Sequence, residues 1–217
     1  MKFQNAYEGV KKIFTAEILS LIASVCTTIV MVLTVVGVIA ASNDSAGGTV
    51  AALGGVVVLG LGAMVLAVIS FIFQLIGVNK ASHDEPAFKI VLYIIFAGIA
   101  LSVIGGAFSG NATVKNITTI LSSAVNLAVT VFIIQGIKNL AARLNNDEVI
   151  NKGDTIFKII IASYALIIIA QIVAAIAQNG TGAIIALVFI LIAGILSIVQ
   201  YILYIIYLNK AKQMLAE

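Results

Sequence analysis

Six long apolar stretches divide this chain and leave only short polar segments between them. The stretches cover residues 17–41, 50–78, 90–108, 117–140, 156–177 and 183–207. A helix that crosses a membrane needs about 20 consecutive, mostly apolar residues, and each stretch comes close to that length or exceeds it. The sequence therefore predicts an all-α integral membrane protein with six transmembrane helices, which form a single polytopic membrane domain over residues 1–217.

The basic residues alternate along these stretches. All twelve Lys and Arg residues except Lys115 lie at the N-terminus, in or directly beside every second gap, or at the C-terminus. The intervening gaps, Ser42–Gly48, Ser109–Asn116 and Gln178–Gly182, hold only Lys115. Cytoplasmic loops carry an excess of Lys and Arg, so this pattern predicts that both termini are cytoplasmic. The Ile-rich composition and short loops favour the cytoplasmic membrane of a prokaryote, crossed several times.

The composition excludes several classes of protein. The chain is 62% apolar and 10% charged, whereas a soluble domain is about 25% charged. The net charge of +3 does not indicate nucleic acid, because the basic residues line one membrane face, where they would meet anionic lipid head groups. With one cysteine, Cys26, and one histidine, His83, the chain lacks the ligands for a disulfide, a thiolate metal site or bis-histidine haem. We therefore expect no metal and no cofactor.

Short sequence matches suggest that the chain consists of three sequential two-helix hairpins. Odd stretches begin with a basic and apolar signature, and even stretches end on Asn-x-Ala. The entry matches are Lys12-Ile13-Phe14, Phe88-Lys89-Ile90 and Phe157-Lys158-Ile159, and the exit matches are Asn79-Lys80-Ala81, Asn139-Leu140-Ala141 and Asn209-Lys210-Ala211. Three parallel repeats would predict a pseudo-threefold axis along the membrane normal. The alternative is that polar residues simply mark the ends of any membrane hairpin.

Polar and small residues inside the apolar stretches identify two sets of candidate positions. Because unsatisfied polar groups are costly in hydrocarbon, such residues either pack helices together or line a polar cavity. The candidate cavity-lining residues are Glu17, Ser20, Ser24, Thr27, Gln74, Asn126 and Gln171. The candidate helix-packing residues are Gly60, Ala63, Ala67, Gly98, Ser102 and Gly106. Asn126 and Gln171 are the stronger cavity candidates, since large amides near the middle of a span need partners.

Glu17 is the ionisable residue that lies clearly inside an apolar stretch. An intramembrane acid is a functional-site hypothesis by default. Its position is also compatible with the membrane interface, because five residues of helix place it about 7.5 Å along the axis from Lys12. Glu17 is therefore either part of a polar path or an interfacial carboxylate that pairs with Lys11 or Lys12.

The segment Ser82-His83-Asp84-Glu85-Pro86 contains three adjacent potential metal ligands. Adjacent side chains of a regular element do not face one point, so we interpret this segment as a solvated turn rather than a metal site.

The motifs do not indicate catalysis, and we expect no catalytic residues and no enzymatic activity. No Lys lies in the middle of a stretch, there is no GxxxxGK[ST] or HExxH motif, and the one histidine is in a loop. Six spans with polar faces favour a transport-class protein: a carrier, a channel or a membrane-embedded solute-binding subunit, of unknown substrate. The alternative is a non-catalytic structural, interaction or assembly subunit of a membrane complex. With either function, the expected partners of the protein are membrane lipids, and a second copy or another membrane protein.

Overall fold

The computed structural model describes the backbone of residues 2–42, 46–108, 110, 112–176 and 180–217. Side chains are described for the same residues except 36, 38–42, 46–53, 112, 115–116, 167, 170–176, 180–191 and 193–195. The regular elements of this part are six helices. They are α1 (Gln4–Ser42), α2 (Ala46–Ala81), α3 (Ala87–Ala107), α4 (Ala112–Arg143), α5 (Asp147–Ile176) and α6 (Gly180–Ala216). The regular structure of the described part is entirely helical, as the long apolar stretches predict.

The helices extend beyond the predicted apolar stretches, mainly at the ends that carry Lys and Arg. α1 begins at Gln4 rather than at residue 17, α5 begins at Asp147 rather than 156, and α6 continues to Ala216 rather than 207. Hydropathy marks only the apolar part of a helix, whereas a helix continues wherever its backbone hydrogen bonds and tertiary contacts are favourable. The polar gaps between the stretches are correspondingly shorter than predicted.

Four helical segments among the described residues are long and apolar enough to cross a membrane. They are Gln4–Val35, Gly54–Ala81, Ala87–Ala107 and Ile117–Arg143. Only 6–11% of the residues in their most apolar 18-residue portions are buried inside the protein. Met31, Val58, Met64 and Val103, for example, are each at least 65% exposed. Large apolar surfaces of this kind are stable in hydrocarbon but not in water, so the protein is membrane-embedded.

The chain divides into two compact units. The first comprises residues 1–10 and 78–217, and the second comprises residues 11–77. In the first unit α3 packs on α4, α4 on α5 and α5 on α6, with a smaller contact between α4 and α6. Its fully buried side chains concentrate at the end where the basic residues lie; they include Val78, Phe88, Ile133, Ile137, Leu140, Ile160, Tyr207 and Leu208. The packed core of this unit is therefore at its charged end.

A sharp turn joins α4 to α5. The Asn146 amide N donates to the Ala141 carbonyl at 2.9 Å and the Asn145 amide N to the Ala142 carbonyl at 3.2 Å, and Asn145 has a φ of 53°. These are the two hydrogen bonds of a Schellman motif, with Asn in the left-handed position. Asn146 Oδ1 then accepts from the Val149 amide N at 3.0 Å and caps α5. The charged segment after α4 therefore belongs mostly to α5, rather than continuing α4 as a surface helix.

Candidate functional site

A polar groove lies between α3 and α4, in the half of these helices that is remote from their charged ends. Its volume is about 410 Å³. Hydroxyl and amide groups dominate its lining, and no charged side chain of the described residues contributes. The lining residues are Leu101, Ser102, Gly105, Thr118, Thr119, Ser122, Ser123 and Asn126. The groove thus brings together Asn126, a predicted cavity residue, and Ser102, a predicted packing residue.

Two glycines of α3 set the approach of the helices around this groove. A Cβ on Gly98 would lie 2.9 Å from Val125 Cγ1, and one on Gly105 would lie 3.2 Å from Thr118 Oγ1. These distances are tighter than ordinary van der Waals contacts, so α4 packs directly against the α3 backbone at both positions. Since Gly98 and Gly105 are seven residues apart, they lie on one face of α3. The predicted packing residue next along the chain, Gly106, has no described atom within 4 Å of its Cβ position.

The polar groups of the groove differ in how they are satisfied. Ser102 Oγ donates to the Gly98 carbonyl at 2.9 Å, and Ser123 Oγ donates to the Thr119 carbonyl at 3.1 Å. These bonds remain within one helix, which is the usual way for Ser and Thr to satisfy their donors there. The Asn126 side chain is exposed and forms no hydrogen bond with any described residue. Asn126 is therefore a large polar group of the groove that still needs a hydrogen-bonding partner.

Three predicted cavity residues of α1 have their hydroxyls engaged by protein groups. Ser20 Oγ and Ser70 Oγ lie 2.7 Å apart, and Ser70 Oγ also donates to the Ala16 carbonyl at 2.7 Å. Ser70 is buried, so this pair is a contact between α1 and α2. Ser24 and Thr27 are exposed and donate to the carbonyls of Leu21 and Ala23, respectively, within α1.

The other predicted positions have varied surroundings. Glu17 is half-buried on α1 and interacts with a neighbouring group, and Gln74 is half-buried on α2. The side chain of Gln171 lies outside the described residues. On α2, Ala63 is buried, Ala67 is exposed, and no described atom lies within 4 Å of a Cβ position on Gly60.

A buried carboxylate, which sequence reasoning missed, organises the charged end of the first unit. Glu85 is 2% exposed, and its Oε2 pairs with Arg143 Nη2 at 2.8 Å while its Oε1 accepts from Asn139 Nδ2 at 2.8 Å. The Arg143 guanidinium also donates to the Asp84 carbonyl at 3.2 Å. The segment that contains Glu85 is therefore a packed connection rather than a solvated turn. Its sequence signal was weak because the partners follow more than 50 residues later.

Neighbouring ion pairs strengthen this charged end. The Asp84 carboxylate accepts from the Asn5 side chain at 3.1 Å and from the Ala6 amide N at 2.8 Å. Lys80 pairs with Glu8, and Lys138 pairs with Asp154. No group of three or more His, Cys, Asp or Glu side chains among the described residues is arranged to hold a metal ion.

A second groove, with an apolar floor, opens between α5 and α6 at the charged end. Its volume is about 380 Å³, and its lining residues are Glu148, Asn151, Lys152, Thr155, Ile156, Leu203, Ile206 and Tyr207. Lys152 Nζ donates to Glu148 Oε1 at 2.7 Å, and Lys210 donates to the same oxygen. The hydrogen bonds from both lysines lower the pKa of Glu148 to about 2, and the bond to Glu148 raises the pKa of Lys210.

Comparison with known proteins identifies no relative. No protein-family model matches the chain, and no curated protein or solved structure is significantly similar to it. The function must therefore be argued from the grooves and the membrane-embedded fold.

Proposed function

We propose that this protein is a small, non-enzymatic membrane protein of the transport class, and that the groove between α3 and α4 lines the path of its solute. In this proposal all six helices span the cytoplasmic membrane, with both termini in the cytoplasm. The alternation of basic residues supports that topology, because the excess of Lys and Arg falls on one side. α5 and α6 support it too, since they include the apolar stretches 156–177 and 183–207.

The observation that carries the proposal is the Asn126 amide in the groove. Leaving an amide without a hydrogen bond in an apolar environment costs about 1–3 kcal/mol, judged from protein mutations. In a membrane-spanning segment that cost is avoided only if water, a solute or another protein group reaches the amide. Asn126 has no such partner among the described residues, so a water-filled groove is the arrangement that we propose.

The lining chemistry indicates the class of solute. Among the described residues, the groove offers hydroxyls and one amide but no Lys, Arg, Asp or Glu. An ion would lose its hydration without gaining an opposite charge, whereas a neutral polar molecule could exchange its hydrogen bonds with water for those with Ser, Thr and Asn. We therefore propose small uncharged polar solutes as the substrate class.

Thiol accessibility tests whether water fills the groove. In a Cys26→Ser background, Asn126→Cys is compared with Ala124→Cys, an exposed position only two residues away that does not line the groove. The two sites differ in depth by about 3 Å along the helix. In sealed vesicles we expect a membrane-impermeant thiosulfonate reagent to react at least about 100-fold faster at position 126, because only a hydrated thiol ionises readily. Equally slow reaction at both positions would contradict a water-filled groove.

Solute flux tests the transport function itself. Vesicles that contain the protein are shifted into hyperosmotic solutions of neutral polar solutes of increasing size, and their re-swelling is followed by light scattering. We expect faster re-swelling than in protein-free vesicles for at least one small solute, and a loss of that excess in the Asn126→Leu variant. A water-filled groove without flux would leave the thiol result intact and refute the transport role.

The alternative function is that of a non-catalytic subunit of a membrane complex. One observation favours it: on α2, no described atom lies within 4 Å of a Cβ position at Gly60, and Ala67, seven residues later on the same helical face, is exposed. Small residues let another helix approach closely, so this face suits a second copy or another membrane protein. Native mass measurement in nanodiscs separates the two functions. A stable oligomer that Gly60→Leu dissociates would favour the interaction role, and an unchanged monomer would remove its motivation.

A further inference from the structure

The groove between α5 and α6 combines an apolar floor with a charged rim. Ile156, Leu203 and Ile206 form the floor, and Ile206 is 51% exposed along it. Lys152 and Glu148 lie one and two turns before Ile156 on α5, and Lys210 lies one turn after Ile206 on α6. The charged residues of both helices thus lie at the same end of the groove, and the apolar residues lie at the other end. The predicted apolar stretch of α5 begins at residue 156, and that of α6 ends at residue 207. The lining of the groove changes from apolar to polar at these two positions.

The rim carries one net positive charge. Lys152 and Lys210 both bond to Oε1 of Glu148, so two ammonium groups face one carboxylate. The low pKa of Glu148 and the raised pKa of Lys210 keep this arrangement ionised throughout the physiological pH range. The lysine side chains remain 42% and 33% exposed, so a further anion can reach them from the membrane surface. The uncharged side chains of Asn151 and Thr155 add hydrogen-bonding groups beside them.

We propose that this groove binds one anionic phospholipid, with its phosphate against Lys152 and Lys210 and an acyl chain along Ile156, Leu203 and Ile206. The occupant is an amphiphile because the lining changes from charged to apolar along the helix axes. It is a membrane lipid because that change coincides with the end of the apolar stretches. It has a net negative headgroup because the rim has a net positive charge, which a zwitterionic headgroup matches less well.

The fluorescence of a single introduced tryptophan can report on the groove. The chain contains no Trp, so a single Ile206→Trp substitution places the sole indole at the apolar half of the groove. Ile198→Trp is the matched reporter, since Ile198 is on the same helix, is 64% exposed and does not line the groove. The full-length variants are placed in phosphatidylcholine vesicles, in which brominated phosphatidylglycerol replaces an increasing fraction of the lipid. Bromine quenches only an indole that it contacts.

We expect I206W to be quenched at low mole fractions of brominated phosphatidylglycerol and I198W to follow the bulk composition. Each lysine near an anionic group contributes about 1 kcal/mol, so two should favour phosphatidylglycerol over phosphatidylcholine by about 30-fold at the groove. Lys152→Gln with Lys210→Gln, made in I206W, leaves only the Glu148 carboxylate at the rim and should reduce that preference to one or below. The control is Lys89→Gln with Lys158→Gln, which removes the same charge from exposed lysines outside the groove and should leave the preference unchanged.

A further variant should raise, rather than lower, the preference of the groove for the anionic lipid. Glu148→Gln removes the carboxylate that competes with the lipid phosphate for both lysines, and should raise the preference about five-fold. The proposal is overturned if I206W shows no preference for phosphatidylglycerol, or if the two double variants lose it equally, which would reveal a general surface effect. It is also overturned if Glu148→Gln weakens the preference, or if phosphatidylethanolamine is bound more tightly than phosphatidylglycerol.

Discussion

Removing the Arg143 guanidinium should destabilise the protein more than neutralising its partner, Glu85. Arg143→Met leaves the Glu85 carboxylate 2% exposed and without its ion pair, while Asn139 still donates one hydrogen bond at 2.8 Å. Glu85→Gln leaves no such buried charge, because the Arg143 side chain is 48% exposed and stays in contact with water. The two changes remove the same pair but differ in what they leave behind.

The difference in exposure between the Glu85 and Arg143 side chains sets the expected losses of unfolding free energy. Breaking a buried ion pair from one side costs about 3–5 kcal/mol when it strands a charge, and the half-exposed site of Arg143 puts Arg143→Met at about 3 kcal/mol. Glu85→Gln removes the ion pair without stranding a buried charge, and should cost about 1–1.5 kcal/mol, in the range of one ordinary polar contact. With both changes together no buried charge remains, so the double variant should cost about 1.5 kcal/mol. The double-mutant cycle formed by the two single variants and the double variant should therefore give a coupling energy of at least about 2 kcal/mol.

The free energy of unfolding can be measured by titration with dodecyl sulfate in mixed micelles, with circular dichroism following helix content. Lys158→Met is the matched control, because Lys158 is exposed and its loss should change stability by less than about 0.5 kcal/mol. If Arg143→Met costs no more than Glu85→Gln, or if the double variant loses the sum of the two, the buried charge does not govern stability at this site.

Three further outcomes follow from the structure and use the same unfolding assay. Gly136→Ala would place a Cβ 2.7 Å from the ring of the fully buried Phe88 and should cost about 1–3 kcal/mol, whereas Gly106→Ala, which meets no described atom within 4 Å, should cost nothing. Glu148 has a folded pKa of about 2, below its ordinary value of 4.5, so its stabilising contribution is present above about pH 4.5 and is lost as the pH falls toward 2. Wild type should therefore be more stable than Glu148→Gln at pH 7, and unfolding curves at decreasing pH should show that advantage disappearing. Asn145 has a φ of 53°, so Asn145→Val should cost about 1–2 kcal/mol while Asn145→Gly is tolerated; equal losses would contradict the left-handed turn.

The sequence was sufficient to predict the helices but not the limits of several of them. Apolar runs of about 20 residues specify helices in hydrocarbon, because only intrahelical hydrogen bonds can satisfy the backbone there. Beyond the hydrocarbon, the helical part of α1 before residue 17 and the first turns of α5 depend on contacts with distant residues. The Asn5 bond to Asp84 and the Lys138 pair with Asp154 are examples, and hydropathy cannot reveal them.

The candidate groove was partly predictable for a similar reason. Asn126 stood out because a large amide near the middle of an apolar stretch needs a partner. The sequence predicts Ser102 to be a packing residue, because it lies between Gly98 and Gly106 at steps of four. In the structure the close contacts to α4 involve Gly98 and Gly105, and Ser102 lies in the groove beside them. Which face of a helix meets its neighbour depends on the partner's side chains, here Val125 and Thr118, and not on the spacing of small residues alone.

The α3–α4 pair places its packed core and its polar groove at opposite ends. Phe88 and Ile137 are fully buried at the charged end, where the Glu85–Arg143 ion pair holds the α2–α3 connection against α4. At the other end, Ser102 and Asn126 line an open groove whose depth is set by the two α3 glycines. The buried side chains of this pair are thus concentrated at the charged end, and the groove does not have to contribute a packed core. In the arrangement that we propose, a polar groove within hydrocarbon costs free energy, and the burial of aromatic and aliphatic side chains such as Phe88 and Ile137 at the charged end offsets that cost within the same helix pair.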